Sequence, residues 1–595
     1  MEWMRRSLDE WYEVEGFGMV PWMVWTSEKH PPALSHNVDF LRRYLVCHVQ
    51  QAAQLGEAAL VSAAFNFIAS RLQAGESHGM RAWLAQANRA PMRPGFRYAY
   101  FDEQAGLEAG RQAGRILWRL LGHRHQDSET FLTQADELVA GAAKQLGIVV
   151  PKDGTARLLI EALARGIPLR RVSSSMPLYR LGQGRSQKRI WRGFTSNTSH
   201  IGTIASTHKS VANELLRAIG LPVPVQRHCM DMISAKRAAM EIGFPVVVKP
   251  ASTDYGTAVS ADVRNEADLY FAFRSARRHG MVLVEEQLPG ADYRLVVVAG
   301  RCVSAIRRDP ARIFGDGVSD VETLVSRLGV ARRADPDLAA YAAPSIDEPL
   351  VREMLRRQGV TGESIPSAGQ TILLRTNANI STGGTFADVN DDLHPDNARL
   401  AERAAACLGL DHAGIDLITP DIRQPWHRIK CGICEINPTP GMDAIEIKSL
   451  LDYLFPAGSN GRIPVVVVVG EAGPAADLVQ LAEQRARATG RIPGTVLSGV
   501  ACIDGVPACI DTRSPTDLLD VLLADAGVGF AVAQATAGEL LEHGLRLSHC
   551  DLVVFLNGQL EQQTVAASTH STLGRARTTL VNPTLATLRN ALLAL

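Results

Sequence analysis

The sequence of 595 residues has no excess of charge of either sign, few cysteines and no long apolar run. Its 62 Lys and Arg residues balance 62 Asp and Glu residues, so it lacks the basic surplus with which nucleic-acid-binding proteins neutralise phosphates. The run Val465–Val469 is far shorter than the roughly 20 apolar residues that a membrane-spanning helix needs. We therefore expect neither a nucleic acid nor a membrane as a partner.

The cysteines are scattered as well as few. They number nine and show no spacing typical of a disulfide framework. The first residues, MEWMRRSLDEWYEVEG, carry acidic side chains where a secretory signal peptide has its apolar stretch. These features favour a reducing, cytoplasmic location, and a composition of 46% hydrophobic and 21% charged residues is typical of a globular protein.

The chain is about four times as long as a domain of roughly 150 residues, which predicts several domains. Its middle part alternates short β-branched runs, among them FPVVVKP and YRLVVVAG, with helical periods such as the one near 266–278. This alternation favours an α/β or α+β enzyme domain. We predict an α/β multidomain protein with an N-terminal α+β domain over 1–160, a central domain over 161–460 and an α/β domain over 461–595.

Two lysines in the middle part are candidates for binding nucleotide phosphates. Lys209 opens the helical segment HKSVANELL, and Lys249 ends the strand FPVVVKP. The loop that follows Lys249 ends at Gly256, and backbone N–H groups of such a loop can wrap a phosphate. Taken singly, each lysine is more often a charge on the surface, so the pair carries more weight than either one.

The segment VEEQLPGADYR has the pattern that adenine and ribose require. An extended stretch with Glu285 and Glu286 is followed by a Pro-Gly turn and then by Asp292 and Arg294. This spacing can place backbone and carboxylate groups around a nucleoside. Taken alone, the same pattern is a common strand, turn and strand.

Oxygen donors follow at the ends of two further predicted strands. GIDLI contains Asp416, and ICEIN contains Glu435 and Asn437. Carboxylate and amide oxygens are the hard ligands that magnesium prefers. Any one of them is explained equally well as a solvated strand end, but the three together indicate a magnesium site. The pair Cys431 and Cys434 has no second pair to complete a zinc site and is expected to pack behind Glu435.

In this order, the motifs resemble the ATP-grasp ligase domain of cyanophycin synthetases, from about Gly182 to Pro464. The most specific part is RTNANISTGGTFADVNDDLHPDN, because few families combine an asparagine pair with Ser-Thr-Gly-Gly before an aspartate-rich segment. The resemblance implies that ATP phosphorylates a peptide carboxylate and that an amine attacks the acyl phosphate, with release of ADP and phosphate. ATP and magnesium are the implied cofactors.

The resemblance also assigns roles to individual residues. The nucleotide would be bound by Lys209, Lys249, Gly256, Glu285, Glu286, Leu288 and Asp292. Magnesium would be held by Asp416, Glu435 and Asn437. The catalytic residues would be Arg294, Arg308, Arg375 and Asn377. The peptide substrate would be positioned by Asn379, Ser381, Thr382, Gly383 and Gly384.

The chain departs from the family pattern at several positions. Ala258 stands where the family's phosphate loop usually has a second glycine. In VVVVVGEAGPAADLV, which resembles the start of the family's Mur-ligase domain, Pro474 and Ala475 replace the lysine and the hydroxyl residue that bind nucleotide. Further on, Gln534 replaces an expected glutamate. These changes predict a truncated Mur-ligase-like domain without a nucleotide site, as in shortened synthetases that join β-aspartyl-arginine dipeptides.

Three functions remain open on the sequence. The first is a single-site ligase that extends a cyanophycin-like polymer or primer with dipeptide units. The second keeps the chemistry but makes another amino-acid polymer or a dipeptide-like product. The third is a non-catalytic partner of a full-length synthetase, which the retained lysines, arginines and magnesium-ligand candidates argue against. The resemblance further predicts a homodimer or a larger homo-oligomer.

Overall fold

The protein is described here by a computed structural model. It covers residues 4–14, 17–25, 40–45, 57–74, 103–122, 127–146, 153–173, 175–251, 258–334, 338, 343–375, 378, 380–509, 514–543, 547, 549–557 and 576–595. The chain divides into two compact units, Gly193–Tyr453 and the combination of Met1–Arg192 with Leu454–Leu595. Helices and sheets occur in both units, which confirms the predicted α/β multidomain class. The predicted domain boundaries near 160 and 460 stay predictions.

The N-terminal part of the first unit contains an antiparallel hairpin, a set of helices and a small sheet. Its elements are β1 (Met4–Val14), β2 (Phe17–Trp25), α1 (Glu57–Ala74), α2 (Glu103–Gly122), α3 (Ser128–Leu146), α4 (Asp153–Ala164), β3 (Leu169–Arg171), β4 (Leu178–Leu181) and β5 (Lys188–Trp191). Leu60, Ala64, Ile68 and Leu72 recur every four residues along α1 and are buried. This stripe packs against α2 and α3, as helical periodicity dictates.

The second unit, Gly193–Tyr453, is built from three sheets and the helices that cover them. Its elements are β6 (Phe194–Thr195), α5 (His200–Thr207), α6 (Lys209–Ala218), β7 (Gln226–Cys229), α7 (Met232–Ile242), β8 (Val246–Pro250), β9 (Ser260–Val263), α8 (Glu266–Arg277), β10 (Val282–Glu286), β11 (Ala291–Val298), β12 (Arg301–Asp309), β13 (Arg312–Phe314), α9 (Val321–Ala334), α10 (Pro349–Arg357), β14 (Thr371–Leu373), β15 (Thr385–Asp388), α11 (Pro395–Leu408), β16 (His412–Thr419), β17 (Gly432–Asn437) and α12 (Ala444–Leu454).

The first of these sheets has the strand order β7-β10-β8-β9 and is antiparallel. Its apolar face is covered by α7 and α8, whose alanines and Phe273 pack on Val246, Val248, Val282 and Val284. These valines alternate along their strands, so the residues between them face the other side of the sheet. Lys249 and Glu285 lie at these intervening positions.

The second sheet has the order β15-β12-β11-β16-β17 and packs on α11. Leu295 and Val297 of β11 and Ile415 and Leu417 of β16 are buried in this core. The alternate residues of the same strands, including Asp416, carry the charges described below. A third sheet, β13-β14, packs with α9 and α10 around a separate core that contains Ile313 and Val321.

The C-terminal part returns to the first unit as a twisted sheet with helices on both faces. Its elements are β18 (Val465–Val469), α13 (Ala472–Ala488), β19 (Ile492–Leu497), β20 (Val500–Ile503), β21 (Val506–Cys509), α14 (Pro515–Ala524), β22 (Val528–Ala535), α15 (Ala537–His543), β23 (Leu552–Phe555), β24 (Thr578–Val581) and α16 (Leu585–Leu593). The strand order is β21-β20-β19-β22-β18-β23-β24, with parallel pairs from β19 to β24.

The valine run of β18 is explained by its central position in this sheet. Val465, Val467 and Val469 join one core and Val466 and Val468 the other. A parallel strand covered on both faces needs a continuous apolar sequence rather than an alternating one. No described helix is both long enough and apolar enough to cross a membrane.

The strand β18 passes almost directly into α13. At this position the sequence resembles the start of the family's Mur-ligase domain, which carries a phosphate loop. Pro474 lies in the first turn of α13, where its missing N–H leaves no helical hydrogen bond unmade. The amide of Gln534 bridges the neighbouring backbone, because its Nε2 donates to the Gly470 carbonyl over 2.8 Å and its Oε1 accepts from Ser498 N over 3.2 Å. Gln534, near the end of β22, therefore connects the turns that follow β18 and β19.

Replacing Gln534 by Leu is expected to destabilise the C-terminal part by roughly 1 to 3 kcal/mol, because the buried carbonyl of Gly470 and the N–H of Ser498 lose their partner. The measurement is the urea midpoint of the variant. Gln484→Leu, on the exposed side of α13, is the matched control. Equal stability of the two variants would contradict this role.

Candidate active site

A cavity of about 500 Å³ lies in the second unit. Many of the residues predicted from the sequence line it, namely Lys209, Lys249, Glu285, Glu286, Leu288, Asp292, Arg308, Asp416 and Glu435. Apolar side chains on β8, β16 and the loop before β9, namely Val247, Ile418 and Val259, contribute the rest of its wall together with Pro250 and Cys434. The cavity is therefore lined by both charged and apolar side chains, as a nucleotide requires.

Lys249 and Glu285 form a buried ion pair at the floor of this cavity. Lys249 Nζ lies 2.6 Å from Glu285 Oε2, and the two side chains are only 7% and 5% exposed. Gln226 on β7 also donates its amide to Glu285 Oε2. Burial alone would lower the pKa of Lys249, but the Glu285 carboxylate outweighs it and raises that pKa. Lys249 thus carries a fixed positive charge at the cavity.

The two other predicted carboxylates of this region are each held by a lysine. Lys209 Nζ lies 3.4 Å from Glu435 Oε1, which links the start of α6 to β17. Glu286 Oε1 lies 2.6 Å from Lys430 Nζ, and Glu286 Oε2 accepts from Val225 N over 3.2 Å. Partial burial would raise the pKa of Glu286, but these two donors together hold it below its usual value. Glu286 is therefore kept charged, and both carboxylates are held in place by a lysine.

Four charged residues on neighbouring strands of the second sheet form a compact network. Arg308 on β12 lies opposite Asp292 on β11, and Arg294 on β11 lies opposite Asp416 on β16. Arg308 Nη2 is 2.7 Å from Asp292 Oδ1 and 2.8 Å from Asp416 Oδ2. Arg294 donates to both oxygens of Asp416, with Nη2 3.2 Å from Oδ2. The two positive charges balance the two negative ones.

The network shifts the pKa values of its two acids in opposite directions. Burial favours the neutral form of Asp416, but Arg294 and Arg308 outweigh it and lower the pKa of this carboxyl. Burial raises the pKa of Asp292, and the charge of Asp416 raises it further against the effect of Arg308. Asp416 is consequently the member of the network that keeps its negative charge most firmly.

Gly414 is needed for this arrangement. A methyl group in its place would lie 2.8 Å from Arg294 Cδ and 2.9 Å from Arg294 Nη1. The guanidinium of Arg294 therefore crosses the backbone of β16 at a point that admits only a glycine. This explains the glycine of the AGID motif by a close contact rather than by backbone freedom.

The predicted metal ligands fit a divalent cation in their chemistry. Asp416 and Glu435 are directly paired across β16 and β17, and Asn437 Nδ2 lies 3.4 Å from Asp416 Oδ2. Because Asp416 already accepts from two arginines, a cation there has to share its oxygens with them. In the described part of the chain, no group of three or more His, Cys, Asp or Glu side chains is placed to hold a metal ion. Two carboxylates and one amide remain the predicted set.

Cys431 lies directly before β17, and Cys434 lies within it. Cys431 is buried in the core of the second sheet, whereas Cys434 lines the cavity and lies 3.4 Å from the Asp416 carbonyl oxygen. Burial raises the pKa of the Cys434 thiol well above its ordinary value. Cys434 is therefore a neutral packing residue next to the charged network.

Part of the predicted substrate-facing segment can be placed. Thr382 ends a short 3-10 turn, Ile380–Thr382, and Gly383 follows with a φ of +100°. A methyl group on Gly383 would also lie 2.4 Å from Pro344 Cγ, so neither the backbone nor the space permits another residue. Gly384 then leads into β15. Gly256, Asn377, Asn379 and the side chain of Ser381 lie outside the described residues.

Two predicted catalytic arginines do not line the cavity in the described part of the chain. Arg294 reaches it only through Asp416. Arg375 pairs with Glu348, the residue before α10, although it belongs to the same segment as Thr382. The structure thus places the described nucleotide residues, Asp416 and Glu435 around one cavity, with Asn437 beside Asp416, and it leaves Arg375 at the side of the third sheet.

Sequence analysis missed Arg332, which fixes the turn around Gly383. Its guanidinium is buried at the end of α9 and donates to three carbonyl oxygens, those of Ile380, Gly383 and Gly384, at 3.0, 3.1 and 2.9 Å. Arg332 and Arg333 together look like ordinary basic residues at a helix C-terminus. Nothing in the sequence separates the buried arginine from its exposed neighbour. Gln226 and Lys430 were also missed, because nothing in the sequence marks them as the partners of Glu285 and Glu286.

No family model matches the chain. Two similar proteins are the cyanophycin synthetases of Synechocystis sp., 31% identical over 479 residues, and of Nostoc sp., 31% identical over 474 residues. These matches cover 77% of this chain and 54% and 52% of the two relatives. The chain is a homologue of the cyanophycin synthetases. It spans about half the length of the relatives it matches.

A second group of relatives makes glutathione. The bifunctional glutathione biosynthesis protein of Mannheimia succiniciproducens is 29% identical over 332 residues, which cover 54% of this chain and 42% of that protein. Among solved structures, the bifunctional glutathione synthetase from Pasteurella multocida has a TM-score of 0.40 and 26% identity over 59% of this chain and 51% of that one.

Replacing Arg332 by Met is expected to lower the free energy of unfolding of the second unit by roughly 2 to 4 kcal/mol, because buried carbonyl groups lose a shared donor. Hydrogen exchange of the amides in residues 380–388 should rise with it. The exposed neighbour offers the control Arg333→Met, which should change neither quantity. If both variants behave alike, the hydrogen bonds from Arg332 to the turn do not contribute to the free energy of unfolding.

Glu446 predicts a pH dependence of stability. It lies in the first turn of α12, where its Oε2 accepts from Asp443 N over 3.1 Å. Burial, with the nearby Asp443 charge, raises its pKa from 4.5 to about 8. Between these values the folded state holds a proton that the unfolded state lacks, so stability falls as the pH rises, by up to about 1.4 kcal/mol per pH unit.

The variant Glu446→Gln should remove this slope, because the amide stays neutral and still accepts from Asp443 N. The measurement is urea unfolding at several pH values between 5.5 and 7.5. Glu214→Gln, on the exposed side of α6, should keep the slope of the unchanged protein. An unchanged slope in Glu446→Gln would show that this carboxyl is already ionised in the folded state.

Proposed function

We propose that the protein is an ATP-dependent carboxylate-amine ligase of the ATP-grasp type, which works through an acyl phosphate. Its substrates are a cyanophycin-like peptide and β-aspartyl-arginine dipeptides, which it joins at a single site. The observation that carries this proposal is the convergence of Lys209, Lys249, Arg308, Asp416 and Glu435 on one cavity in a homologue of cyanophycin synthetases.

The charges of the cavity suit the triphosphate end of ATP. Lys249, kept charged by Glu285, and Lys209 beside Glu435 neutralise phosphate oxygens. Arg308 lies between Asp292 and Asp416 and offers its remaining N–H groups to the phosphoryl group in transfer. When bound, ATP supplies the phosphoryl group, and magnesium held by Asp416, Glu435 and Asn437 spreads its negative charge. The peptide carboxylate is the nucleophile in this step, so the protein needs none of its own.

The other end of the cavity suits the nucleoside. Val247, Val259 and Ile418 supply apolar surface for the adenine ring, and the backbone from Glu285 to Leu288 supplies donors and acceptors for its edge. Asp292, whose Oδ1 is bound by Arg308, offers its second oxygen to a ribose hydroxyl. With the nucleoside bound in this way, the γ-phosphate lies near Lys209, Lys249 and Arg308.

The C-terminal part supports a single site. After β18, α13 begins with Pro474 and Ala475 in its first turn, and Gln534 fills the hydrogen bonds of the neighbouring loops. A phosphate held there would have neither a lysine nor a hydroxyl group. A ligase with one ATP site forms one kind of amide bond, which fits a preformed dipeptide as the building block. The homo-oligomer predicted from the sequence stays a prediction, which light scattering of the native protein would check.

The decisive experiment is ADP release by the purified protein with ATP, magnesium, a short β-aspartyl-arginine primer and either the free dipeptide or separate aspartate and arginine. Turnover is expected with the dipeptide alone. Asp416→Asn should reduce kcat by about a hundredfold or more, because it removes the charge that Arg294 and Arg308 stabilise.

The control for that variant is Asp421→Asn, whose carboxylate pairs with the exposed Arg423 and lies outside the cavity lining. It should retain full activity. Turnover with separate amino acids would refute the dipeptide as the building block. Binding of ATP without ADP release from any of these mixtures would refute the proposed ligase.

A further inference from the structure

A second cavity of about 400 Å³ lies in the same unit, and no role in the proposed reaction uses it. It is lined by Arg307, Asp309, Arg312, Ile313, Phe314, Leu324, Leu328 and Thr385. Asp309 lines this cavity and the nucleotide cavity alike. The two cavities therefore adjoin each other at the C-terminal end of β12. Arg308 lines the first cavity, and Arg307 and Asp309 line the second.

The second cavity also adjoins the predicted substrate-facing segment. Thr385 is the first residue of β15, directly after Gly383 and Gly384, and it pairs with Asp309 across the sheet. Arg308 and Asp309 are consecutive on β12, and their side chains face opposite sides of the strand, so the two cavities approach each other around the end of this strand, where Asp309 borders both. A peptide with one carboxylate at Arg308 reaches the second cavity around this end.

The charges of the cavity select an anion. Asp309 is already paired with two arginines, because its Oδ2 lies 3.1 Å from Arg307 Nε and its Oδ1 lies 2.5 Å from Arg312 Nη2. Each guanidinium has five N–H donors, and these contacts engage few of them. Because two arginines pair with one aspartate, this group has a net positive charge and keeps N–H groups that do not bind Asp309. A cationic ligand would meet a carboxylate that both arginines already occupy.

The wall of the cavity favours an organic anion over phosphate. Ile313 and Leu324 are buried beneath it, while the ring of Phe314 is 60% exposed. Such a surface suits the methylene groups of an amino-acid side chain. A β-aspartyl-arginine unit has this chemistry, since its amide bond uses the β-carboxyl of aspartate and leaves the α-carboxylate of arginine free.

Resting on the proposed function, we propose that this second cavity binds a pendant carboxylate of the peptide substrate, next to the carboxylate that is phosphorylated. Arg307 and Arg312 are its binding residues, Asp309 holds both guanidinium groups in place, and Phe314 covers the aliphatic stem. The cavity thus selects peptides whose branches end in a free carboxylate.

The test compares two primers of β-aspartyl-arginine units, one with free arginine carboxylates and one with these carboxylates amidated, in the ADP-release assay. In the unchanged protein, amidation should raise the KM of the primer by about tenfold, the factor that corresponds to one charge-assisted contact. Arg307→Met and Arg312→Met should raise the KM of the free-carboxylate primer by a similar factor. Amidation should then have no further effect, and the KM of ATP should stay the same.

Two further variants guard against effects on folding. Arg312→Lys should restore part of the preference, because it keeps the charge but loses the planar fork. Arg356→Met, which removes an exposed arginine paired with Glu353 on α10, should behave like the unchanged protein. An unaltered preference for the free-carboxylate primer in Arg307→Met and Arg312→Met would overturn the proposal.

Primer binding measured by calorimetry without turnover separates this proposal from the ligase itself. If no mixture releases ADP, tighter binding of the free-carboxylate primer that both methionine variants abolish still supports the second cavity. Equal binding of the two primers overturns it. Displacement of the primer by inorganic phosphate as readily as by free β-aspartyl-arginine would assign the cavity to phosphate and also overturn it.

Discussion

Asp416 is buried at the cavity of the second unit and accepts hydrogen bonds from two guanidinium groups that come from two other strands. An isolated charge in such a place would be very unfavourable, and removing one partner from a buried pair costs about 3 to 5 kcal/mol. The register of β11, β12 and β16 therefore depends on the charged residues that these strands place on the face opposite the core. A shift of one residue in any of these strands would turn its charged residue into the core.

The same constraint prepares the site for a highly charged ligand. Asp292 and Asp416 fix the orientation of Arg308, and Glu285 does the same for Lys249, so in the proposed reaction these cations are oriented before a phosphate binds. Charges that are fixed in advance need little reorganisation when negative charge develops in the transition state. The acidic residues of the cavity thus orient its cationic side chains, in addition to any role as metal ligands. The second cavity repeats this design on a smaller scale, since Asp309 holds Arg307 and Arg312.

The substrate side depends on a different kind of contact. Its turn is held by backbone carbonyls that converge on one buried arginine, Arg332, from a helix about 50 residues earlier in the sequence. Pro344 closes the space above Gly383. The turn therefore owes its shape to α9 and to the loop before α10 as much as to its own Ser-Thr-Gly-Gly sequence.

Local pattern was enough to predict the α/β class, the alternating strands and helices of the middle part, and most of the charged residues that line the nucleotide cavity. Motifs such as VVVKP and GIDLI indicate a strand and a candidate site residue together, because the side-chain period of two places Lys249 opposite the core residue Val248 and Asp416 opposite the core residue Ile415. The family resemblance added the order in which these motifs occur and the reaction they imply.

The tertiary structure alone decided which charges meet. Asp416 is 122 residues from Arg294 and 108 from Arg308, and only the register of three strands brings them into contact. It also decided that Arg332 is buried while Arg333 is exposed, and that Asp309 borders two cavities. A sequence determines which residues can carry charge or pack in a core, because these are properties of single side chains and of their spacing. Partners distant in sequence are fixed only when the strands pair, because each contact depends on the register of all the others.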